Sequence, residues 1–499
     1  MRDAGGQGLP PAGGANVSSP LPRVPAAPSV EPNAAELDLY EVRKTIYPRA
    51  VHGVFATWRW ALVIFTQVIF YGMPWLLWNG RQAVLFDLAA RRFYIFDLVL
   101  WPQDFIFLTG ILIISALSLF LFTAVAGRLW CGYACPQTVY TELFMWIERR
   151  IEGDRGKRMK LDQQPWSARK IGLKAAKHGV WIAVGLWTGI TFVGYFTPIR
   201  TLLGEFVSFN LGPWETFWVL FYGFATYGNA GWMREQVCKY MCPYARFQGV
   251  MFDPDTLIIT YDPVRGEPRG SRPKGVDYRA RDLGDCVDCE ICVQVCPTGI
   301  DIRNGLQYEC IACGACIDAC DQVMDKMGYP RGLIRYSTEN AMQGKYAEEA
   351  TPLRKITSHV LRPRVLIYTA ILATVIAAMS VTLAMRIPVK LNVLKDRANL
   401  VRETNDGWME NVYRLQIMNT SETPHRFEMS VRGLPGVRLV ADSPVVSVAG
   451  ASSIIVPVSV QVEPGAVTAG SHRIDFEVRA VDDERLAASA NSSFYLRAP

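Results

Sequence analysis

The residues equipped for redox or metal chemistry are twelve cysteines in four short clusters, none before Cys131 and none after Cys320. The run Cys286-x-x-Cys289-x-x-Cys292-x-x-x-Cys296-Pro297 has the dicluster ferredoxin spacing, and a second copy follows at Cys310, Cys313, Cys316 and Cys320. Two-residue gaps let three thiolates wrap one corner of an iron–sulfur cubane, and the fourth ligand arrives from the other copy. By that rule one [4Fe–4S] cluster takes Cys286, Cys289, Cys292 and Cys320, and the other takes Cys310, Cys313, Cys316 and Cys296. Asp321 stands where a second Pro is expected, which bears on the local turn more than on ligation. Structural zinc sites pair C-x-x-C knuckles across longer loops, so they do not account for four cysteines in eleven residues twice over.

The other cysteines form a repeated motif. Cys131-Gly132-Tyr133-Ala134-Cys135-Pro136 and Cys238-Lys239-Tyr240-Met241-Cys242-Pro243 both read C-x-Y-x-C-P. A helical chain would set each pair of sulfurs on one face, with Cβ atoms about 5–6 Å apart. The proline then suits the first turn of a following segment. Two apolar stretches precede each copy, so the pattern looks like an internal repeat that gathers four thiols at a membrane surface. Soft thiolates favour copper(I) or an iron–sulfur centre over hard cations, and a redox-active dithiol is a further option. Inert buried cysteines are the plain alternative, but a repeated pairing with proline at the same offset disfavours it.

The positioning elements are apolar. Half of the 499 residues are hydrophobic and 20% are charged, and five stretches meet the length of a membrane span: 60–80, 105–127, 179–199, 216–233 and 365–385. Residues 93–103 are apolar but interrupted by Asp97 and Pro102, too short to span, and read as interfacial or re-entrant. Eleven Lys and Arg lie in 128–177, against Arg200 alone between the third and fourth stretches, which sets the amino terminus inside and the carboxyl terminus outside. All four cysteine clusters then face the cytoplasm, in agreement with their redox chemistry and against a secreted disulfide framework. The net charge of +6 flanks apolar spans and forms no aromatic-interleaved basic stripe, so nucleic-acid binding is excluded.

Residues 1–38 are Pro-, Gly- and Ala-rich and read as a disordered cytoplasmic tail. The stretch 262–285 reads as a flexible tether. His52, His178 and His359 lie near span ends and read as interfacial residues instead of haem ligands, and Glu215 as an outer-interface residue. No Gly-rich dinucleotide fingerprint follows a strand, so electrons come from a partner or the quinone pool. From about residue 395 short alternating segments with Gly/Pro turns indicate an immunoglobulin-like sandwich without cysteine.

The expected architecture is multi-domain. A helical membrane domain of four spans covers 39–260, and a linker with an inserted α+β dicluster ferredoxin-like domain covers 261–360, with its core at 280–330. A fifth span lies in 361–390, and an all-β immunoglobulin-like domain in 391–499. The motif pairs, the eight-cysteine run and the strand-rich tail together resemble the CcoG/FixG (RdxA) family, through segments such as WCGYACPQTVYTE and CIACGACIDACDQVMDKMGYP. The resemblance implies a bacterial inner-membrane, multi-pass protein with cytoplasmic clusters and a periplasmic carboxyl-terminal domain. It implies reduction of copper(II) to copper(I) for assembly of a cbb3-type cytochrome c oxidase, with the oxidase or its assembly factors as partners. By that analogy Cys131, Cys135, Cys238 and Cys242 are the copper-facing or redox cysteines. A quinol-linked subunit of a respiratory enzyme and a non-catalytic iron–sulfur scaffold or sensor are the competing readings.

Overall fold

A run of some twenty predominantly apolar residues can satisfy its backbone without water as a helix. The computed structural model, which describes residues 45–275, 277–344, 361–396 and 401–496, forms such helices at α1 (Val54–Gly72), α2 (Phe105–Ala126) and α14 (Pro363–Ala384). Three helical stretches, Val54–Trp75, Pro102–Ala126 and Pro363–Ala384, are long and apolar enough to cross a membrane, and their surfaces carry exposed side chains such as Ile106, Leu112 and Ile371. All that follows belongs to one unit, Ile46–Pro499. The tail at 1–38 and His359 lie outside the described residues.

The first span ends earlier than the apolar run. Pro74 starts a tight turn, and β1 (Leu77–Trp78) pairs with β2 (Arg81–Gln82) across Asn79-Gly80. Both turn residues have positive φ, 48° and 79°, as a two-residue hairpin requires. The stretch 93–103 is not re-entrant. It supplies β4 (Arg92–Ile95) and β5 (Leu98–Leu100), which form an antiparallel meander with β3 (Val84–Asp87). Leu85, Tyr94 and Val99, one from each strand, stand opposite one another in a buried cross-strand row, an arrangement that a membrane-entering helix would not have.

After α2 come α3 (Leu129–Tyr133), α4 (Pro136–Glu152), α5 (Arg155–Gln163) and α6 (Ala168–Val193). The third apolar stretch is the latter part of α6, whose start is fixed by the Ser167 hydroxyl accepting from Lys170 N at 3.2 Å. It stops at Val193, and Ile199–Val207 is a separate helix, α7. The fourth stretch is α8 (Pro213–Thr226), with Glu215 in its first turn, continued by a π-helix at Tyr227–Met233. Glycines let α6 and α8 touch backbone to backbone. A Cβ on Gly185 would stand 2.8 Å from Gly223 O, and one on Gly189 would collide with Val219 O.

The cluster domain starts at β6 (Ile258–Tyr261), antiparallel to β7 (Ile334–Ser337). Between them lie α10 (Pro263–Gly266), α11 (Ile291–Gln294) and α12 (Ala315–Met327). α9 (Pro243–Met251) precedes β6, and α13 (Glu339–Met342) follows β7. The stretch read as a tether is instead pinned within the described residues. Arg265 Nε donates to Asp285 Oδ2 at 2.5 Å, and buried Arg272 donates to the carbonyls of Gly284 (2.6 Å) and Gly270 (3.1 Å). Arginine's five fixed donors let one side chain hold several carbonyls of an irregular chain, which composition alone does not signal.

Residues 385–388 join α14 to a sandwich. One sheet orders β12 (Arg438–Val440), β14 (Ser452–Val462), β10 (Met409–Asn419) and β8 (Val389–Lys395), with β9 (Arg402–Glu403) on β10. The other orders β13 (Val445–Val448), β11 (His425–Arg432), β15 (Gly470–Ala480) and β16 (Ala487–Leu496). Tyr413, Leu415, Phe427, Phe476 and Phe494 are fully buried between the sheets. The sandwich rests on the meander, with Met418 packed among Leu85, Tyr94, Val99 and Trp101. Glu422 pairs with Arg81, and Asp104 pairs with Arg386 (2.8 Å) and Lys390.

Near the cysteine-bearing end, buried Glu148 of α4 accepts from Arg158 (2.7 Å) and Arg234 (2.9 Å) and lies 3.4 Å from Lys177. Burial alone would push its carboxyl up, but the cations around it more than offset this and hold it below the usual carboxylate range. Its stabilisation is therefore present at neutral pH and is lost as pH falls through and below that range. Glu148→Gln removes the carboxylate partner of buried Arg158 and of half-buried Arg234, leaves Lys177 to Glu152, and should cost about 3 kcal/mol. Thermal unfolding in detergent should show a large fall at pH 7 that narrows at low pH; an unchanged midpoint at pH 7 would refute the network's role.

Candidate metal centres

Each ferredoxin loop must abandon regular structure to aim three thiols at one point. Asp288 and Glu290 in the first loop have positive φ (50° and 54°), and Ala312 and Gly314 have it at the same offsets in the second (53° and 72°). Only Gly314 takes that conformation without steric cost, and left-handed turns of this kind turn backbone N–H groups toward an anionic centre. α11 carries Cys292, and α12 carries Cys316 and Cys320. Four residues of helix rise about 6 Å, so the last two thiols stand beside different cavities.

One cavity is walled by Cys286, Cys289, Cys292 and Cys320, with Arg303 and Tyr261 beside them. The other is walled by Cys296, Cys310, Cys313 and Cys316, and Cys292 reaches its edge. Among the described residues no three His, Cys, Asp or Glu side chains converge closely enough for a single ion. Thiols spread around a closed space suit a multi-iron cubane, so the residues fit the group that their spacing indicates. Burial pushes the Cys292, Cys310 and Cys320 thiols up to about 12. Loading such a site expels protons.

The C-x-Y-x-C-P copies share a fold that the helical reading missed. α3 ends before Cys135, and the second copy is a π-helix, Val237–Met241, that ends before Cys242. In both, the second cysteine's N–H donates five residues back, Cys135 N to Trp130 O (3.0 Å) and Cys242 N to Val237 O (2.8 Å). Pro136 and Pro243 then open α4 and α9, as the sequence suggested.

The four thiols lie near enough to act on one another's charge, but among the described residues no three of them converge as on a single ion. Burial raises the Cys131 thiol to about 11; the Gln248 amide lowers it, and Cys135 and Cys242 raise it again. Burial raises Cys238 to about 12, with Cys135, Cys131 and Cys242 adding to the rise. Fully buried Gln248 sets Nε2 3.4 Å from Cys131 Sγ. Nothing in the sequence marks Gln248, whose placement follows from the turn of α9 after Pro243.

This quartet leans on the second ferredoxin loop. A Cβ on Gly132 would lie 2.7 Å from Ile311 O, 2.8 Å from Cys313 Cα and 2.9 Å from Ala312 O. Cys131 and Cys238 pack against buried Val295, Ile311 and Cys313. Arg128, which sequence reasoning also passed over, donates to Ala245 O (2.6 Å) and to Cys310 O (3.4 Å). Asp318 of α12 accepts from Phe55 N (3.2 Å) and Ala56 N (2.7 Å), capping α1 with a carboxylate at its positive end. Among the described residues His52 and His178 take no part. His178 Nδ1 lies 3.0 Å from Tyr227 OH with its ring against Trp181 and Trp232, and His52 contributes its carbonyl to Gln322.

Residues 233–339 match the family described as 4Fe-4S dicluster domain, and residues 108–154 that described as 4Fe-4S binding domain. Residues 379–497 match the family described as IG-like fold at C-terminal of FixG, putative oxidoreductase. The chain is similar to the nitrogen fixation protein FixG of Rhizobium meliloti, 40% identical over 82% of this chain and 83% of the relative. It is also similar to proteins RdxA (42% identical, 84% and 88% covered) and RdxB (41%, 80% and 84%) of Cereibacter sphaeroides.

Three backbone atoms under 3.0 Å leave no room for a methyl at position 132. Gly132→Ala should cost about 2 kcal/mol through overpacking. Gly156→Ala, in helix α5 with nothing within 4 Å, should instead stabilise by up to about 1 kcal/mol. Unfolding midpoints of the two variants measure the difference, and equal midpoints would show that the loop contact is loose.

Proposed function

The chain belongs to the FixG/RdxA family, and on that premise we propose that it is a membrane electron-transfer protein that reduces copper(II) to copper(I) for assembly of a cbb3-type cytochrome c oxidase. Cys286, Cys289, Cys292 and Cys320 hold one [4Fe–4S] cluster in this reading, and Cys310, Cys313, Cys316 and Cys296 hold the other. The clusters supply single electrons, which suits a one-electron reduction of a metal ion.

The observation that carries the reading is the packing of the C-x-Y-x-C-P thiols against the loop of Cys310, Cys313 and Cys316. Copper itself rests on the family resemblance, and the residues agree with it in kind. Cys131, Cys135, Cys238 and Cys242 are soft donors that favour copper(I) over copper(II). Arg128 lies beside Cys131, Cys238 and Cys310, where its positive charge favours thiolate at each. Gln248 holds the Cys131 thiol at hydrogen-bond distance.

The reading includes five spans, α6 and α8 with its π-helical continuation completing the membrane domain. The small-residue contact of Gly185 and Gly189 with α8 supports it. In this reading the cysteine clusters lie on the cytoplasmic side and the sandwich in the periplasm of a bacterial inner membrane, an orientation that the Lys and Arg bias supports.

Purified, anaerobic protein given dithionite and a copper(I) chelator should reduce copper(II). Changing Cys131 and Cys238 together to Ser should slow this at least ten-fold while iron and sulfide contents stay at wild-type level. Undiminished turnover in that variant, or zinc in place of iron in the wild type, would sink the proposal. Alkaline phosphatase fused after residue 210 or at the carboxyl terminus should be active, and fused after residue 165 inactive. Activity at 165 would reverse the topology.

A further inference from the structure

A cavity of about 450 Å³ lies between α1, α4, α6 and α8, with Ala134 and Pro136, the neighbours of Cys135, on its wall. That volume is in the range of small-molecule sites. No charged residue, cysteine, histidine or methionine lines it, so it is not built for a copper ion. Its wall is neutral and of two kinds. Gln67, Tyr140 and Thr188 supply polar groups, and Phe70, Phe192 and Tyr222 supply aromatic rings.

Most of the polar groups are already engaged. Tyr140 OH reaches Tyr71 OH (3.4 Å), which lies 2.8 Å from Thr188 Oγ1. Gln137 Nε2 holds the Asn229 and Arg234 carbonyls at 2.9 and 3.1 Å. The Gln67 amide also interacts with the Tyr140 hydroxyl, but its Oε1 is buried and accepts no hydrogen bond. A buried acceptor left unpaired is costly, and a ligand that donates an O–H relieves it. One wall of the cavity is the π-helix through Asn229 and Ala230, a distortion that recurs at binding sites.

We propose that this cavity binds the ring of an isoprenoid quinol, whose hydroxyl donates to Gln67 Oε1 while the ring lies among Phe70, Phe192 and Tyr222. A neutral planar ring with a polar edge meets every demand of the lining, and it can arrive from the lipid between helices. The proposal rests on the cupric-reductase reading and names its electron source. One quinol loses two electrons and two protons to become quinone. Two copper(II) ions become two copper(I), the O–H bonds break, and the protons pass to water.

The test uses the full chain in detergent under anaerobic conditions with decylubiquinol. Ultrafiltration should show saturable retention, weakened at least ten-fold in Gln67→Leu and in Ala225→Phe, which fills the cavity, but unchanged in Trp58→Leu, which alters a separate apolar groove. Decylubiquinol should also drive copper(II) reduction by the wild type. No retention above the detergent blank, or equal retention by wild type and both cavity variants, would overturn the site. Wild-type reduction of copper(II) by dithionite reports separately on the parent reading. Its failure alongside Gln67-dependent retention would sink the copper chemistry and leave the quinol site supported.

Discussion

A glycine between two thiols governs how this protein is put together. Gly132 presents bare backbone to Ile311, Ala312 and Cys313, and no other residue could come so close. That contact packs the Cys131 and Cys238 thiols and the second ferredoxin loop in one layer. The surroundings defend it. Asp318 ties the cluster helix to the start of α1, Arg128 ties the end of α2 to Cys310 and α9, and Tyr336 OH donates to Ala312 O at 2.6 Å next to Tyr133. Cluster domain and helices are thus one body at this seam.

Desolvation is the tax on that arrangement. Thiols at the seam are held neutral by burial, and the cations nearby are buried as well. Such groups persist only where each finds a counter-charge or a carbonyl. Glu142, Glu148 and Glu152 on α4 answer Arg59, Arg149, Arg158, Lys174, Lys177 and Arg234. The Lys- and Arg-rich segments that looked like simple topology markers are therefore also structural, wired into α4.

The sequence made the cysteine spacing legible because cluster geometry fixes it, and it showed α2 and α14 because their apolar runs have no competing signal. It misjudged features set by partners far along the chain. The stretch 262–285 looked loose because Arg265 and Arg272 find their acceptors only when folded. The residues 93–103 looked interfacial because their strand partners, Val84, Leu85 and Phe86, are apolar too. The cysteine pairs looked helical because nothing local announces the five-residue turn back to Trp130 and Val237. Asn79-Gly80, by contrast, is a hairpin signal that was readable and ended the first span as such a signal should. Gln248 and Asp318 act on residues more than a hundred positions away, beyond the reach of any periodicity.

The short join at residues 385–388 gives α14 the character of a keyed shaft. Each residue of helix turns its successor by about 100° and lifts it by about 1.5 Å. One residue gained or lost at that end would swing the sandwich out of phase with Arg81 and Asp104, and a whole extra turn would restore its heading but raise it off the meander. The length of α14 therefore encodes an azimuth as well as a height, and whatever docks on the sheets meets them at a fixed compass bearing relative to the thiol layer at the opposite end.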